Sequence, residues 1–362
     1  MKTRVFNFGA GPAMLPLPIL EAAKAEFLNW DGHGLSILEV GHRTPECVEL
    51  FAQAGQAVRE ILTIPENYHI LFLGGAARTQ FAMIPLNLLK PGEQAAYLIS
   101  GIWSQLAFNE ATMLKRAYCI SSEHTGCFNT VPKPKDLQFK KNSAYVYYTS
   151  NETINGIRFP YVPQTNGIPL IADMTSSLLS EPIDITQYAL VFAGAQKNIS
   201  NAGLTLVIIR DDLLKSTGLP IPSMLNYKVQ VQHRSLYATP PVFNCYLALK
   251  MFHWIKAQGG VEALYKQNCL KAEKLYQFID ASDFYTSAVD KEVRSLVNLC
   301  FSIKQKDLET KFLNQSTQKG LLYLKGHRLV GGLRASLYNA MSMEGVDALI
   351  TFMSEFQKEH TT

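Results

Sequence analysis

Residues 168–210 have the sequence IPLIADMTSSLLSEPIDITQYALVFAGAQKNISNAGLTLVIIR, in which three apolar runs are separated by polar turns. The runs cover residues 168–173, 190–195 and 203–209. Apolar runs of this length, bounded by glycine and polar residues, predict buried strands of an α/β sheet. Lys197 therefore follows the end of a buried strand, which is where open α/β sheets bind ligands.

Lys197 is the first candidate catalytic residue. Burial removes water from a lysine and lowers its pKa, and the neutral amine is the form that attacks a carbonyl to make a Schiff base. Asp173 ends the preceding strand run. A pyridine cofactor needs a lysine for its aldehyde and a carboxylate for its ring nitrogen. A lone lysine at such a place is more often solvated or part of a structural ion pair. Other segments of the sequence must therefore show whether Lys197 has a catalytic role.

The composition is that of a globular enzyme-sized protein. The 362 residues are 47% hydrophobic and 18% charged, and 34 Lys+Arg against 30 Asp+Glu give a net charge of +4. There is no extended basic tract for nucleic acid and no apolar run of about 18 residues for a membrane span. The six cysteines and eight histidines lack metal-ligand spacing. No metal, nucleic-acid or membrane partner is expected, and the absence of a leader at the N-terminus favours a cytoplasmic location.

Strand-like and helical segments alternate up to about residue 210, which predicts an α/β fold with a mostly parallel central sheet and covering helices. The order of strand-like and helical segments changes near residue 260, and a smaller α/β C-terminal domain is expected from there on. We therefore divide the chain into an N-terminal arm that joins the small domain (1–15), a large cofactor-binding domain (16–258) and a small C-terminal domain (259–362).

A candidate phosphate site follows the predicted strand 69–73. The strand runs into Gly74 and Gly75, and Ala77 and Arg78 open the next helical pattern. Free backbone N–H groups and the helix dipole gather at such a turn, and both favour a phosphate. The segment matches neither a GxGxxG nor a P-loop pattern. A tight turn without a ligand explains it equally well.

Trp103 and Thr153 follow two further predicted strands. Trp103 would place an aromatic ring at the sheet edge, where a flat cofactor could stack on it, although a tryptophan packed in the core is equally compatible. Thr153 belongs to the polar segment 150–153, which offers hydroxyl and amide groups to the same edge.

Arginine and histidine residues occur at several predicted turns and strand ends rather than on helix faces. Guanidinium groups bind carboxylates and phosphates through two hydrogen bonds, although most single arginines are simply solvated. Residues 326–334 hold three such side chains beside paired glycines, and a substrate with two anionic ends would use such a set. The candidates are His42, Arg43, Arg78, His327, Arg328 and Arg334.

Taken together, these segments resemble the phosphoserine aminotransferases, class-V aminotransferases that belong to the fold-type I enzymes using pyridoxal 5′-phosphate. The likeness spans nearly the whole chain, and the order and number of the matching segments make it specific. The matching segments are residues 7–16, 41–43, 80–82, 151–156, 193–198, 202–205 and 326–340.

The resemblance implies roles around the cofactor. Lys197 would bind it covalently and shuttle the substrate α-proton, and Asp173 would keep the ring nitrogen charged so that the ring acts as an electron sink. The other implied cofactor contacts are Trp103 stacking on the ring, Thr153 on its phenolic oxygen, and Ala77, Arg78, Gln196 and Thr239 of the partner subunit on its phosphate.

The resemblance also implies the substrate contacts. Arg334 would bind the α-carboxylate. The distal phosphate or the glutamate side-chain carboxylate would be received by His42, Arg43, Arg78, His327 and Arg328, some of them across the interface of a homodimer with shared active sites.

The activity implied is the transfer of an amino group between L-glutamate and 3-phosphohydroxypyruvate, giving O-phospho-L-serine in serine biosynthesis. A second role in pyridoxine biosynthesis, on a phosphorylated hydroxythreonine, stays open. So do a different fold-type I enzyme, such as a serine–glyoxylate type aminotransferase or a cysteine desulfurase, and a cofactor-binding dimer without activity. Gln196 disfavours the desulfurase, which usually has a histidine before the lysine.

The chain departs from the family pattern at four places. Ala238 stands where an asparagine usually precedes the threonine of the Thr-Pro-Pro segment, so one cross-subunit phosphate contact is expected to be missing. The other departures affect loop shape rather than the chemistry of the lysine and the aspartate. They are Ser200-Asn201 for Gly-Pro, Ala76-Ala77 where glycines are frequent, and Thr44-Pro45 for Ser-Lys.

Overall fold

The central sheet has seven strands in the order β2-β10-β9-β8-β5-β3-β4. It is seen in a computed structural model that describes residues 4–114, 116–121, 128–215 and 217–361. Only β10 runs antiparallel to its neighbours, and all other adjacent pairs are parallel. The predicted mostly parallel sheet is thereby confirmed. Its strands are β2 (Tyr68–Gly74), β3 (Gln94–Ile99), β4 (Ala117–Ser121), β5 (Ser143–Thr149), β8 (Leu170–Asp173), β9 (Leu190–Gly194) and β10 (Leu204–Arg210).

Both faces of this sheet are apolar and covered. Along β5, Tyr145 and Tyr147 belong to one buried cluster, and Val146 and Tyr148 belong to the cluster on the other face. Successive side chains of a strand point to opposite faces, so an uninterrupted apolar run fits a strand buried on both sides. The helices are α1 (Leu17–Glu26), α2 (Pro45–Ile61), α3 (Arg78–Leu88), α4 (Ile102–Met113), α5 (Tyr227–Gln232), α6 (Val242–Ala257), α7 (Gly260–Asp280), α8 (Glu309–Gln318) and α9 (Met343–His360).

A second, smaller sheet follows α7. Strands β11, β12 and β14 pair antiparallel, and their buried side chains form a third cluster with α7, α8 and α9. Strand β1 near the N-terminus pairs with β13, and the fully buried Phe8 belongs to this third cluster. The remaining strands are β1 (Phe6–Asn7), the hairpin β6 (Asn151–Glu152) and β7 (Ile157–Arg158), β11 (Tyr285–Thr286), β12 (Asn298–Ile303), β13 (Leu321–Leu322) and β14 (Leu333–Ser336).

The parallel strands β2, β3, β5, β8 and β9 all end at one edge of the central sheet. The carboxyl edge of a parallel sheet is where ligands bind in α/β proteins. Most of the predicted cofactor contacts lie at or just after the ends of these five strands, so the topology brings them to a common place.

The spacing of apolar residues over 16–30 predicts one helix, but α1 is shorter than this. It ends at Glu26, and a short 3₁₀ turn, Trp30–Gly32, follows. The Asn29 side chain accepts a hydrogen bond from the Gly34 amide (2.7 Å), and Asp31 has φ 49°, so the chain turns back within this loop. Within the described residues, no helix is long and apolar enough to cross a membrane.

Candidate active site

A cavity of about 260 Å³ opens at the carboxyl edge of the sheet. Its size suits a small single-ring ligand rather than a drug-sized molecule, which needs about 300 Å³ or more. The predicted cofactor contacts that line it are Ala77, Arg78, Trp103, Thr153, Asp173, Gln196 and Lys197.

Lys197 is only 8% exposed, and its Nζ donates a hydrogen bond to the Thr153 hydroxyl. Burial lowers the pKa of Lys197 to about 7, since the ammonium form loses its hydration; the positive charge of Arg334 acts in the same direction, and the negative charge of Asp173 opposes it. The lowered pKa makes the reactive neutral amine of Lys197 easier to reach near pH 7.

Asp173 ends β8, between Thr149 of β5 and Phe192 of β9 in the sheet register. The Thr175 amide donates to its Oδ1 (2.9 Å), which fixes the orientation of the carboxylate. Burial raises the pKa of Asp173, while the hydrogen bond from Thr175 and the charge of Lys197 lower it. A cation placed against this carboxylate would favour its ionised form.

The turn that carries Lys197 is held from two sides. The Ala13 amide of the N-terminal arm donates to the Gln196 carbonyl (2.9 Å). The side chain of Asn198 accepts from the Asn339 amide (3.2 Å), which follows β14. Neither contact is predictable from the sequence, because the partners are more than 100 positions apart and are ordinary small or amide residues.

The predicted phosphate niche lies at the start of α3. No side chain caps this helix, and Ala76, Ala77 and Arg78 line the cavity. The Thr79 and Gln80 amides donate to the Ala76 and Ala77 carbonyls (2.9 Å each), so the amides that remain for an anion at this helix start are those of Ala77 and Arg78. A Cβ on Gly194 would lie 2.7 Å from the Gln196 Oε1 and 3.2 Å from the Ala77 Cβ, so the Gln196 side chain lies beside these amides.

Trp103 lies in the first turn of α4 and lines the same cavity as Lys197. The Arg78 guanidinium carbon lies 5.1 Å from the centroid of its ring. The backbone amide of Trp103 donates to the Glu152 carboxylate (2.9 Å), a fully buried group. Burial raises the pKa of Glu152 to about 7. Sequence analysis did not identify Glu152 as part of the site.

Positive charges gather at the opening of the site. Arg334 Nη1 donates to the Thr153 carbonyl (3.3 Å), so β14 is tied to the cavity wall. The pKa of His327 is lowered first by burial and then by the charges of Arg334, Arg328 and Arg78, which places all four side chains within electrostatic range. We call Arg78, His327, Arg328 and Arg334 the cationic cluster.

Six of the predicted residues do not line the cavity, among them the three members of the cationic cluster other than Arg78. His42 and Arg43 lie in the turn before α2, and Thr239 lies in the exposed segment before α6. His42 is half-buried, and its Nε2 has no hydrogen-bond partner within the described part of the chain. Their assignment to a site shared with a second subunit stays a prediction.

Several buried polar atoms in or near the cavity make no hydrogen bond within the described part of the chain. Trp103 Nε1, Thr149 Oγ1, Asn151 Oδ1 and Arg334 Nε are buried and make no hydrogen bond to any described residue. Such atoms cost free energy when unpaired, by roughly 1–3 kcal/mol each. Together with the amine, the carboxylate and the free helix amides, this donor and acceptor set fits pyridoxal phosphate.

Comparison with known proteins agrees with this geometry. The model of the family Aminotransferase class-V matches residues 5–349. A phosphoserine aminotransferase from Legionella pneumophila (strain Lens) is 66% identical over 361 residues, which cover 99% of this chain and 100% of that protein.

Two solved structures have the same fold. The phosphoserine aminotransferase from Bacillus circulans subsp. alkalophilus has a TM-score of 0.96 at 42% identity and covers 99% of both chains. The pyridoxal phosphate-bound phosphoserine aminotransferase from Trichomonas vaginalis has a TM-score of 0.93 at 40% identity, covering 97% of this chain and 100% of that one. The chain therefore belongs to the class-V aminotransferase family and, within it, to the phosphoserine aminotransferases.

Proposed function

We propose that this enzyme binds pyridoxal 5′-phosphate in the cavity around Lys197 and transfers an amino group between L-glutamate and 3-phosphohydroxypyruvate. The products in one direction are O-phospho-L-serine and 2-oxoglutarate, as L-serine biosynthesis requires. The observation that carries the proposal is a buried, partly neutral lysine and a buried carboxylate, which end neighbouring strands and line one cavity.

The side chains around the cavity divide the work of holding the cofactor. Asp173 is suited to the ring nitrogen, Trp103 to the ring face and Thr153 to the phenolic oxygen. The phosphate belongs on the free amides at the start of α3 and on Gln196, with Thr239 of the partner subunit. When bound, pyridoxal phosphate supplies an electron sink for the pair of electrons left on the substrate α-carbon.

Lys197 then serves as the base and acid of the transfer. Its Nζ would remove the α-proton of the amino acid and deliver a proton to the carbon two atoms away, on the other side of the amino nitrogen. This requires an amine that changes protonation near neutral pH. A pKa of about 7 meets this requirement. Thr153 accepts a hydrogen bond from Nζ, so it holds the amine at the cavity wall between these steps.

The cationic cluster is suited to a substrate with two anionic ends. Arg334 is placed to bind the α-carboxylate, which glutamate and the phosphorylated keto acid share. Arg78, His327 and Arg328, with His42 and Arg43, are suited to the distal phosphate or carboxylate. The proposal includes a homodimer with shared active sites, in which some of these anion-binding residues come from the second subunit. A cytoplasmic location is part of the same proposal.

A spectral titration tests the proposal. The purified protein with pyridoxal phosphate should absorb near ~410–430 nm, and L-glutamate should convert this band to one near ~330 nm. Adding 3-phosphohydroxypyruvate should restore the first band, and glyoxylate should not. A band that borohydride bleaches but glutamate leaves unchanged would favour cofactor binding without transamination.

The matched control is Lys197→Ala. It should retain the fold, since it truncates one side chain at the cavity wall, but lose the ~410–430 nm band and all turnover. Turnover by this variant would contradict the role of Lys197. In the unaltered protein, restoration of the ~410–430 nm band by glyoxylate but not by 3-phosphohydroxypyruvate would indicate the substrate class of a serine–glyoxylate type enzyme.

A further inference from the structure

Glu152 is a buried carboxylate that the proposed chemistry does not use. It is 0% exposed, and its two oxygens accept hydrogen bonds from two successive amides of α4, Ser104 to Oε1 (2.8 Å) and Trp103 to Oε2 (2.9 Å). Asn155, three residues later, accepts from the Ile102 amide (3.2 Å). The amides at the start of this helix, which have no intrahelical acceptor, are thus bound by one neighbouring segment.

That segment is the hairpin 151–158, which also holds the other side of the cavity. Its Thr153 hydroxyl binds Lys197 Nζ, and the Thr153 carbonyl accepts from Arg334 Nη1 (3.3 Å). Glu152, the residue before Thr153 in this hairpin, holds the backbone of Trp103 by accepting its amide hydrogen bond. One hairpin therefore sets the positions of Trp103, Lys197 and Arg334 relative to one another.

The contact between Glu152 and α4 is close enough to exclude a side chain at the residue before the helix. A Cβ on Gly101 would lie 2.4 Å from the Glu152 Cδ and 2.6 Å from its Oε2. The Ser104 hydroxyl accepts from the Gly101 amide (3.1 Å) and donates to the Gly101 carbonyl (3.0 Å), which keeps this turn tight. The carboxylate is thus packed against the backbone of the turn.

We propose that Glu152 is a positioning residue that fixes the backbone of Trp103, and through it the place of the Trp103 ring in the cavity that Thr153 and Lys197 also line. The carboxylate touches neither substrate nor cofactor in this role. It acts through the backbone of Trp103. The inference rests on the proposed cofactor, but the position of Trp103 can be measured without it.

A double-mutant cycle on cofactor affinity tests whether Glu152 acts through Trp103. Glu152→Gln keeps the side-chain volume but replaces one acceptor by a donor that faces an amide. The affinity of the apoprotein for pyridoxal phosphate should fall about tenfold, the lower end of the effect of a hydrogen bond to a charged group. In a Trp103→Ala background, the same substitution should change the affinity by less than about twofold. An equal loss in both backgrounds would overturn the proposal.

The control is Glu181→Gln, which removes the charge of a half-buried carboxylate that contacts the far end of the same hairpin but not the backbone of Trp103. Glu181 pairs with Arg158 (2.9 Å) and does not line the cavity. This variant should bind pyridoxal phosphate as the unaltered protein does. If Glu181→Gln weakened the cofactor as much as Glu152→Gln, the effect would be one of general stability and the proposal would be wrong.

Two measurements on the apoprotein separate this inference from the proposed function. Amides at a helix start normally exchange quickly, but those of Trp103 and Ser104 should be protected in the unaltered protein. The near-ultraviolet circular dichroism lost in Trp103→Ala should also be lost in Glu152→Gln and kept in Glu181→Gln. Fast exchange of both amides, or an unchanged spectrum in Glu152→Gln, would sink the inference. Failure of the unaltered protein to bind pyridoxal phosphate would instead sink the proposed function.

Discussion

At the scale of single residues, the pKa of Lys197 is set by three neighbours as well as by burial. Burial and the charge of Arg334 lower this pKa, the charges of Asp173 and Glu152 raise it, and the net value is about 7. The neutral amine is the form that reacts with an aldehyde. The rate at which the apoprotein takes up pyridoxal phosphate covalently should therefore rise with pH through about 7 and then level off.

Two substitutions should move this pH profile in opposite directions. Asp173→Asn removes a negative charge that favours the ammonium form, so the midpoint should fall. Arg334→Gln removes a positive charge that disfavours it, so the midpoint should rise. Stopped-flow absorbance after mixing apoprotein with cofactor measures both. Shifts of the same sign in the two variants would contradict this account of the Lys197 pKa.

Arg334 carries a second prediction, about substrate binding. Its Nε is buried without a partner among the described residues, and its Nη1 is tied to Thr153. Arg334→Gln should raise KM for glutamate and for the phosphorylated keto acid together, because both have an α-carboxylate, at a cost of about 2–5 kcal/mol. The control is Arg328→Gln, an exposed member of the cationic cluster that should affect the distal end only. An Arg334→Gln variant impaired for one substrate alone would show that the α-carboxylate binds elsewhere.

The sequence predicts Lys197 and Asp173 because each ends an apolar run, and the end of a buried strand has a strong local pattern. It does not predict Glu152. That residue lies in a polar segment whose pattern is that of any loop, and its partners, the amides of Trp103 and Ser104, belong to the backbone and are some 50 positions away. Backbone acceptors and donors leave no mark on residue identity, so contacts of this kind emerge only from the fold.

At the scale of elements, the apolar runs locate β8, β9 and β10 to within a few residues, but they do not give the direction of β10. Val207 and Ile209 face one cluster, and Leu206 and Ile208 face the other, which would hold for a strand of either direction. The connection supplies the missing information. Residues 195–203 join β9 to β10 without a helix, and parallel neighbours need a crossover of a dozen or more residues.

The turn after β9 also offers a test at this scale. Gly194→Ala would place a Cβ 2.7 Å from the Gln196 Oε1, so the flexible amide must move from its place beside Ala77. The fold should persist, while the affinity for pyridoxal phosphate should fall by roughly 1–3 kcal/mol, as expected for crowding in a packed site. Fluorescence titration of the apoprotein measures this.

The matched control is Gly55→Ala within α2, where a new Cβ meets nothing within 4 Å. It should bind the cofactor normally and gain about 0.5–1 kcal/mol of stability, because alanine loses less backbone entropy than glycine in a helix. Unaltered affinity in Gly194→Ala would mean that Gln196 does not contribute to the phosphate niche.

At the scale of the whole molecule, α7 links the central sheet to the smaller one. Val261 and Leu264, near its start, pack in a cluster on the central sheet, while Leu275 and Ile279, near its end, pack in the cluster of the small sheet. We propose that the domains divide near residues 258 and 259 and that the arm 1–15 belongs with the smaller one. The pairing of β1 with β13 supports the second part. The boundary near residue 258 is inferred from the change in the order of predicted elements, which does not reveal that α7, just after it, packs in both clusters.

Midway along α7, the buried Lys271 connects this helix to the turn that follows β14. It is 2% exposed, and its Nζ donates to the carbonyls of Leu337 (3.2 Å), Tyr338 (3.0 Å) and Met341 (2.9 Å). These carbonyls belong to the turn that follows β14, which carries Arg334. The same turn contacts Asn198, the residue after Lys197, through the Asn339 amide. Lys271 thus holds the turn that connects the strand of Arg334 with the segment of Lys197.

Lys271→Met should therefore lower both stability and substrate affinity. The methionine fills much of the same space but removes the lysine donor from three buried carbonyls, of which only that of Tyr338 keeps another donor, the Met341 amide (2.9 Å). Unfolding by denaturant should therefore show a loss of roughly 2–4 kcal/mol. The turn after β14 would also be free to shift, and KM for both substrates should rise more than kcat falls. The control is Lys274→Met on the same helix, which removes only an exposed ion pair with Asp347 and should change stability by less than about 1 kcal/mol. If Lys271→Met lost stability but kept both KM values, the turn would be held by Asn198 and Asn339 alone, and the buried lysine would support the fold without placing Arg334.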